Sequence, residues 1–248
     1  MQLPSNPSQT EKEKQLAAAA ALSWVHDGMR VGLGSGSTAA HFIQLLGEAV
    51  RNGLRIQATA TSVASEKLAQ QVGIPLLEPR RGLRFDITID GADELDGNLR
   101  LIKGGGGALL REKVLASASD MLLIIADSSK LVPQLGHFPL PLEVVPFALP
   151  WVLDAVATLG GAPVLRLAAP TNSEPARSDQ GNLLVDCHFE ALPNPAELAL
   201  ALQAIPGLVE HGLFLGLAGA ALLGQGETVQ LLRPGQPMTP VALTVHTP

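Results

Sequence analysis

Four short blocks of the chain concentrate residues able to bind an anion or move a proton. They are Gly34-Ser35-Gly36-Ser37-Thr38-Ala39, Asp90-Gly91-Ala92-Asp93-Glu94, Lys103-Gly104-Gly105-Gly106-Gly107 running into Arg111-Glu112-Lys113, and Asp127-Ser128-Ser129-Lys130. In the first block, glycines allow the backbone to approach an anion closely, and a following helix start presents free N–H groups. Ser35, Ser37 and Thr38 add hydroxyl donors. Gly34, Gly36 and Ala39 also satisfy the G-x-G-x-x-A dinucleotide pattern. That reading wants an acidic residue about 20 positions later, at the end of the next strand, and residues 55–62 contain none. No Gly-Lys-Ser/Thr follows, so the block is not a nucleotide P-loop. A sugar-phosphate cradle is preferred to a purely structural glycine turn.

In the second block, Asp90 and Asp93 lie three residues apart on a tight turn. Both can reach a crevice, accept hydrogen bonds from sugar hydroxyls or shuttle a proton in ring opening. The competing structural reading is a solvated turn in which Asp93 caps a helix. A metal site is disfavoured, because no histidine lies nearby and Lys103 would repel a divalent cation. In the third block, consecutive glycines are costly to order and imply close approach. With Lys103 before them they read as a flexible anion-binding loop with a cation at its mouth. Glu112 falls in the second turn of the helix that follows. Its apolar neighbours Leu109, Val114 and Leu115 could desolvate it and raise its pKa toward neutrality. Taken alone, Glu112 reads more simply as a surface glutamate beside Arg111 and Lys113. The fourth block brings Lys130 to the same rim.

These blocks need a scaffold that gathers them. Up to about residue 130, helical stretches at 12–27, 38–51, 64–72 and 108–119 alternate with apolar strands at 30–33, 55–61, 86–90 and 121–126. Such alternation predicts a parallel sheet covered on both faces, with ligands bound beyond the carboxyl ends of its strands. All four blocks fall there. Pro139, Pro141, Pro146 and Pro150 then mark a change of architecture. A helix at 151–159, strands at 163–167 and 182–188, a polar loop at 171–180 and a helix at 195–204 suit a smaller α+β lid. Residues 212–223 return to strand-like sequence and rejoin the first sheet. The predicted fold is therefore α/β: a Rossmann-like, mostly parallel sheet with helices on both faces (1–138 and 212–248), plus a small α+β domain (139–211). Residues 232–248 read as a loose tail.

Composition removes several function classes. The chain is 46% hydrophobic and 16% charged, a globular balance rather than a disordered one. With 17 basic against 23 acidic residues, a net charge of −6 and 3% aromatics, it offers neither a basic surface nor stacking platforms for nucleic acid. No apolar run is long enough to span a membrane. The alanine-rich stretch at 16–25 faintly imitates a signal peptide, but Glu11 and Glu13 among the preceding lysines favour a helix. The single cysteine, Cys187, cannot form an intrachain disulfide, which fits a reducing, cytoplasmic setting. Lying in an alternating run at 182–189, it reads as a packed strand residue rather than a nucleophile.

Taken in order, GSGSTA, TSVASEKLAQQVGIPL, DGADE, KGGGGALLREK, ADSSK and FPLPLEV closely resemble the ribose-5-phosphate isomerase A family. DQGNLLVD and IPGLVEHGLF extend the likeness more weakly, to about residues 12–230. The resemblance implies metal-independent, cofactor-free interconversion of D-ribose 5-phosphate and D-ribulose 5-phosphate by a homodimer or homotetramer. It implies substrate binding by Ser35, Gly36, Ser37, Thr38, Asp90, Gly91, Ala92, Asp93, Lys103, Gly104, Gly105, Gly106 and Lys130, and it makes Glu112 the proton acceptor. Residue chemistry agrees, since moving a carbonyl from C1 to C2 needs a base and a cation near the enediolate oxygens. Glu112 is the candidate base, Lys103 the electrostatic stabiliser and Asp90 the ring-opening group, with Asp93 orienting hydroxyls. A non-catalytic sugar-phosphate sensor, a coenzyme A-transferase-like acyl-transfer enzyme with a nucleophilic Glu112, and a nicotinamide-dependent dehydrogenase stand as alternatives.

Overall fold

The computed structural model describes residues 7–169, 173–189 and 191–241. In chain order the first elements are α1 (Pro7–Ala21), β1 (Arg30–Leu33), α2 (Ser37–Arg51), β2 (Gln57–Ala60), α3 (Val63–Gln71), β3 (Ile87–Asp90), β4 (Glu94–Leu95), β5 (Leu101–Ile102), α4 (Leu109–Ser117) and β6 (Leu122–Asp127). There follow β7 (Leu140–Val144), α5 (Leu149–Thr158), β8 (Ala162–Leu165), β9 (Leu183–His188), α6 (Pro195–Gln203), β10 (Leu208–His211), β11 (Leu213–Phe214), β12 (Ala218–Gln225), β13 (Thr228–Leu232) and β14 (Thr239–Val241).

The main sheet runs β14-β13-β12-β6-β3-β1-β2. Neighbours from β12 to β2 pair parallel, while β13 and β14 add an antiparallel edge. Its central strands β3 and β6 are buried along their whole length because both faces are covered. Along β6, Leu123 and Ile125 pack with Val31, Leu33, Phe42 and Ile43 under α1 and α2. The alternate residues Leu122, Ile124 and Ala126 pack on the other face with Ala116 of α4, Leu101 of β5 and Phe214 of β11. Strand pleating sends successive side chains to opposite faces, so one six-residue strand serves both cores. The helix α2 shows the matching period: Ala39, Phe42, Ile43 and Leu46 form its buried stripe. Each such Leu or Ile contributes about 1.5–3 kcal/mol by leaving water.

A second, antiparallel sheet runs β10-β7-β9-β8. Against one face pack α5 and α6, with Val152, Val156, Ala199 and Leu202 meeting Leu140, Leu142, Val144 and Val185. Cys187 is buried in β9, and burial pushes its thiol up to about 12, which suits a packed residue and not a nucleophile. A third sheet of very short strands, β11-β5-β4, sends Ile102 and Leu213 into the core of the second sheet and Leu95, Leu101 and Phe214 into that of the first.

Several expectations need correction. The helix expected at 12–27 occupies Pro7–Ala21 and ends in a 3-10 turn at Leu22–Trp24. The apolar run 212–223 is not one strand: Leu213–Phe214 pairs with β5, and only from Ala218 does the chain join the main sheet. The proline-marked boundary contains β7, paired on both sides despite Pro141. The tail expected from 232 onward is ordered as far as β14, whose Thr239–Val241 pair with β13; residues 242–248 lie outside the described residues. Residues 170–172 of the polar loop are likewise outside them, and its later part makes isolated bridges, Leu167 to Pro175 and Arg177 to Leu183.

Candidate active site

The candidate site lies at the carboxyl ends of β1, β3 and β6. Asp90 ends β3, fully buried, with Oδ1 accepting from Ser35 N at 3.0 Å and Gly91 N at 2.7 Å. Gly34 is required here, because a Cβ on it would collide with the Asp90 carboxylate. The β1–α2 loop is thereby pinned to the end of β3. The Ser35 hydroxyl lies 2.7 Å from Thr61 Oγ1. Gly36 precedes α2 without any side-chain cap, so the first amides of that helix remain available to an anion. Lys14 of α1 reaches across to donate to Ser37 Oγ at 3.0 Å. Thr38 is buried at the first turn.

Lys103 follows β5 and does not stand at the mouth of a loop, as its sequence position suggests. It is 2% exposed, and its ammonium donates to Gly91 O at 2.7 Å. It lies 3.1 Å from Asp90 Oδ2 and 3.3 Å from Glu112 Oε2. Apart from that ammonium, neither of those carboxylate oxygens has a hydrogen-bond partner among the described residues. Burial opposes the Lys103 charge, but Asp90, Glu112 and Asp93 outweigh it and hold its pKa above the ordinary lysine value. Glu112 sits on the inner face of α4, only 5% exposed. Burial pushes its carboxyl up, Lys103 pulls it down, and Asp90 and Asp93 push it up again; the net direction is up.

The flanking charges of α4 leave in other directions. Arg111 approaches Asp179, whose Oδ2 accepts from Val63 N at 2.8 Å. Lys113 donates to Glu210 Oε1 and to His211 O, each at 2.6 Å. The residue after Asp93 is not the start of a helix: Glu94 lies in β4, and its carboxylate accepts from Gly136 N and Phe138 N. Asp93 Oδ2 instead accepts from Gly105 N at 2.7 Å, which ties the DGADE turn to the glycine loop. Gly91 and Ala92 complete that turn, half-buried. Gly104, at φ 101, starts the loop in a conformation that side chains rarely adopt, and Gly106 lies exposed at its tip.

Of the expected site residues, Asp90, Lys103 and Glu112 form one buried group, with Asp93 and the glycine loop beside it. Lys130, half-buried in the 3-10 turn after β6, makes no hydrogen bond or ion pair with that group among the described residues. Sequence reasoning missed Lys14, Arg166 and Asp179. Lys14 is masked by its charged run, Arg166 lies just after β8, and Asp179 lies in the polar loop that precedes β9.

Fold and site together place the chain among α/β enzymes whose crevice lies beyond the carboxyl ends of parallel strands. The family model for ribose 5-phosphate isomerase A (phosphoriboisomerase A) matches residues 57–228. The Ribose-5-phosphate isomerase A of Sphingopyxis alaskensis is 49% identical over 224 residues, covering 90% of this chain and 97% of that protein. The solved ribose 5-phosphate isomerase A of Methanocaldococcus jannaschii superposes with a TM-score of 0.86 at 38% identity, covering 90% of this chain and 99% of that one. A D-ribose-5-phosphate isomerase solved in complex with phospho-erythronic acid gives 0.87 at 35% identity, covering 90% and 99%. The chain belongs to the ribose 5-phosphate isomerase A family and is an isomerase.

Proposed function

We propose that the chain interconverts D-ribose 5-phosphate and D-ribulose 5-phosphate through a cis-enediolate, with Glu112 as the proton acceptor and donor. The observation that carries this reading is the buried ammonium of Lys103, shared between Asp90 and Glu112 at 3.1 and 3.3 Å. Burial makes Glu112 a stronger base than a surface glutamate, while Lys103 keeps its ionised form accessible. Glu112 takes the C2 proton of the open-chain aldose, and the C–H electron pair becomes the C1–C2 double bond. The carbonyl oxygen takes the negative charge near Lys103, the proton of the C2 hydroxyl passes to it, and the proton held by Glu112 returns to C1 as C2–O becomes the new carbonyl. Asp90, with an unbonded oxygen facing the same cation, serves ring opening, and Asp93 orients hydroxyls. The free amides of α2, with Ser37, Thr38, Lys14 and Lys130, receive the phosphate.

The division expected from sequence is part of the proposal: 1–138 and 212–248 as the catalytic unit, 139–211 as the smaller one. It is supported by the separate core under the β10-β7-β9-β8 sheet. The reaction needs neither metal nor cofactor in this reading. The test is a coupled assay with ribose 5-phosphate in EDTA, run on the unsubstituted enzyme and on Glu112→Gln. The variant keeps the shape and removes the base, so kcat should fall by about 100-fold or more. Near-normal turnover would remove Glu112 from its role, and activity that needs an added divalent ion would remove the metal-free mechanism.

A further inference from the structure

The outer side of the glycine loop is held by a residue from the other sheet. Arg166, just after β8, gives Nε and one terminal nitrogen to the two oxygens of Asp186, at 2.8 and 2.5 Å. Its other terminal nitrogen donates to Gly105 O at 3.0 Å, and both terminal nitrogens lie 3.4 Å from Gly104 O. The planar fork is therefore divided between a carboxylate that fixes it and two carbonyls that it fixes. A lysine, with one point charge and no fixed plane, could not hold both sets of contacts in this geometry.

A trans peptide directs its C=O and the following N–H to opposite sides. With the Gly104 and Gly105 carbonyls drawn out to Arg166, the N–H groups of Gly105 and Gly106 must turn inward. The first does so visibly, donating to Asp93 Oδ2 at 2.7 Å. The second has no partner among the described residues, in a loop where Gly107 N closes back on Gly104 O at 2.9 Å. Gly106 N–H is thus a pre-aimed donor on the same loop that Lys103 begins.

We propose that Arg166 is a positioning residue for the isomerisation, orienting the Gly106 N–H toward the oxygen that becomes negative when Glu112 removes the substrate proton. This rests on the reading of Glu112 as the base. In the step, the proton passes to the Glu112 carboxylate, the C–H pair forms the C1–C2 double bond, and the carbonyl pair moves onto oxygen. Gly106 N–H then donates to that oxygen. Donors of this kind matter more in the transition state than in the ground state, so their misalignment lowers kcat rather than raising KM.

The test compares Arg166→Met and Asp186→Asn with the unsubstituted enzyme in kcat, KM and inhibition by phospho-erythronic acid. That acid carries a planar carboxylate whose oxygens imitate the enediolate. Removing one direct donor of an oxyanion costs about 100- to 1,000-fold in rate. Loss of its positioning should cost less, about 10- to 100-fold in kcat for Arg166→Met, with KM within about two-fold. Inhibitor affinity should fall in parallel with kcat, and Asp186→Asn should show the same pattern at smaller amplitude. A residue serving only the fold would lower the melting temperature but leave kcat per folded site and inhibitor affinity unchanged. That outcome, or a loss carried by KM alone, overturns the proposal. Should Arg166→Met fail to fold, Asp186→Asn decides on the same readouts. Glu112→Gln is measured alongside. If it stays active, the base assignment falls; if it is inactive while both Arg166→Met and Asp186→Asn turn over normally, only the positioning role falls.

Discussion

Replacing Lys103 by Met removes the positive charge that lies between two buried carboxylates while keeping most of the side chain's volume. Asp90 is fully buried and Glu112 nearly so, and the ammonium lies 3.1 and 3.3 Å from their oxygens. Removing one partner from a buried pair typically costs about 3–5 kcal/mol, because an uncompensated charge is left without water. At about 2–4 °C per kcal/mol for a chain of this size, the variant should melt about 6–20 °C lower. Urea unfolding followed by far-UV circular dichroism gives the free energy directly.

The decisive measurement is a double-mutant cycle at two pH values. Glu112→Gln removes one of the two carboxylates, so Lys103→Met should lose at least about 1 kcal/mol less in that background. In Lys103→Met, the Glu112 carboxyl, raised by burial and no longer opposed by the ammonium, has a folded-state pKa above its unfolded one. Such groups favour the folded state below the unfolded pKa, and that support is lost as pH rises through the folded pKa. The gap between Lys103→Met and the unsubstituted enzyme should therefore widen from pH 4 to pH 8. An equal loss in both backgrounds, flat with pH, would refute the reasoning. Lys103 would then act only by packing over the Phe214 ring, 5.5 Å away.

Two further pH dependences follow from the same buried charges. Because burial raises Glu112, the acid limb of kcat/KM should lie clearly above the ordinary glutamate value of 4.5; a limb at that value would contradict the buried-base reading. His211 is 2% exposed, and burial, with Lys113 adding to it, lowers its pKa from 6.5 to about 4. Its contribution to stability is present above 6.5 and is lost as pH falls toward 4, to a limit on the order of 3 kcal/mol. His211→Gln should flatten the urea-midpoint profile between those pH values, and an unchanged slope would exclude the histidine as its source.

The parts of the fold legible in the sequence are those with a period long enough to read. Ala39, Phe42, Ile43 and Leu46 declare α2, and the unbroken apolar run of β6 declares a strand covered on both faces. The strands β4, β5 and β11 have two residues each and carry no period at all. Prolines hid β7 and β14, since proline reads as a breaker wherever the partner strand is unknown. Glu13 read only as a charge among lysines. In the fold it is buried and accepts from Ser128 N, Ser128 Oγ and Gly226 N, clamping α1 to the ends of β6 and β12. Such long-range partners leave no local trace. Arg166 and the glycine carbonyls it holds are about 60 residues apart for the same reason.

Glu112 is the instructive case, because its local sequence did contain the answer. The buried face of α4 comprises Leu109, Glu112, Leu115 and Ala116, the i, i+3, i+6, i+7 stripe of one helix face. Val114, one of the apolar neighbours that suggested desolvation, is 57% exposed and points elsewhere. Phase, rather than proximity in sequence, puts this glutamate inside while Arg111 and Lys113 leave by other faces. A carboxylate on an apolar stripe must be paired, neutralised or paid for in stability. The sequence offers a cation for it nine residues earlier, in Lys103, which reads as exposed only because nothing local shows that Asp90 and Glu112 converge on it. A glutamate at apolar phase thus requires a buried partner, and that demand, more than the glycine run itself, is what marks this segment as a candidate site.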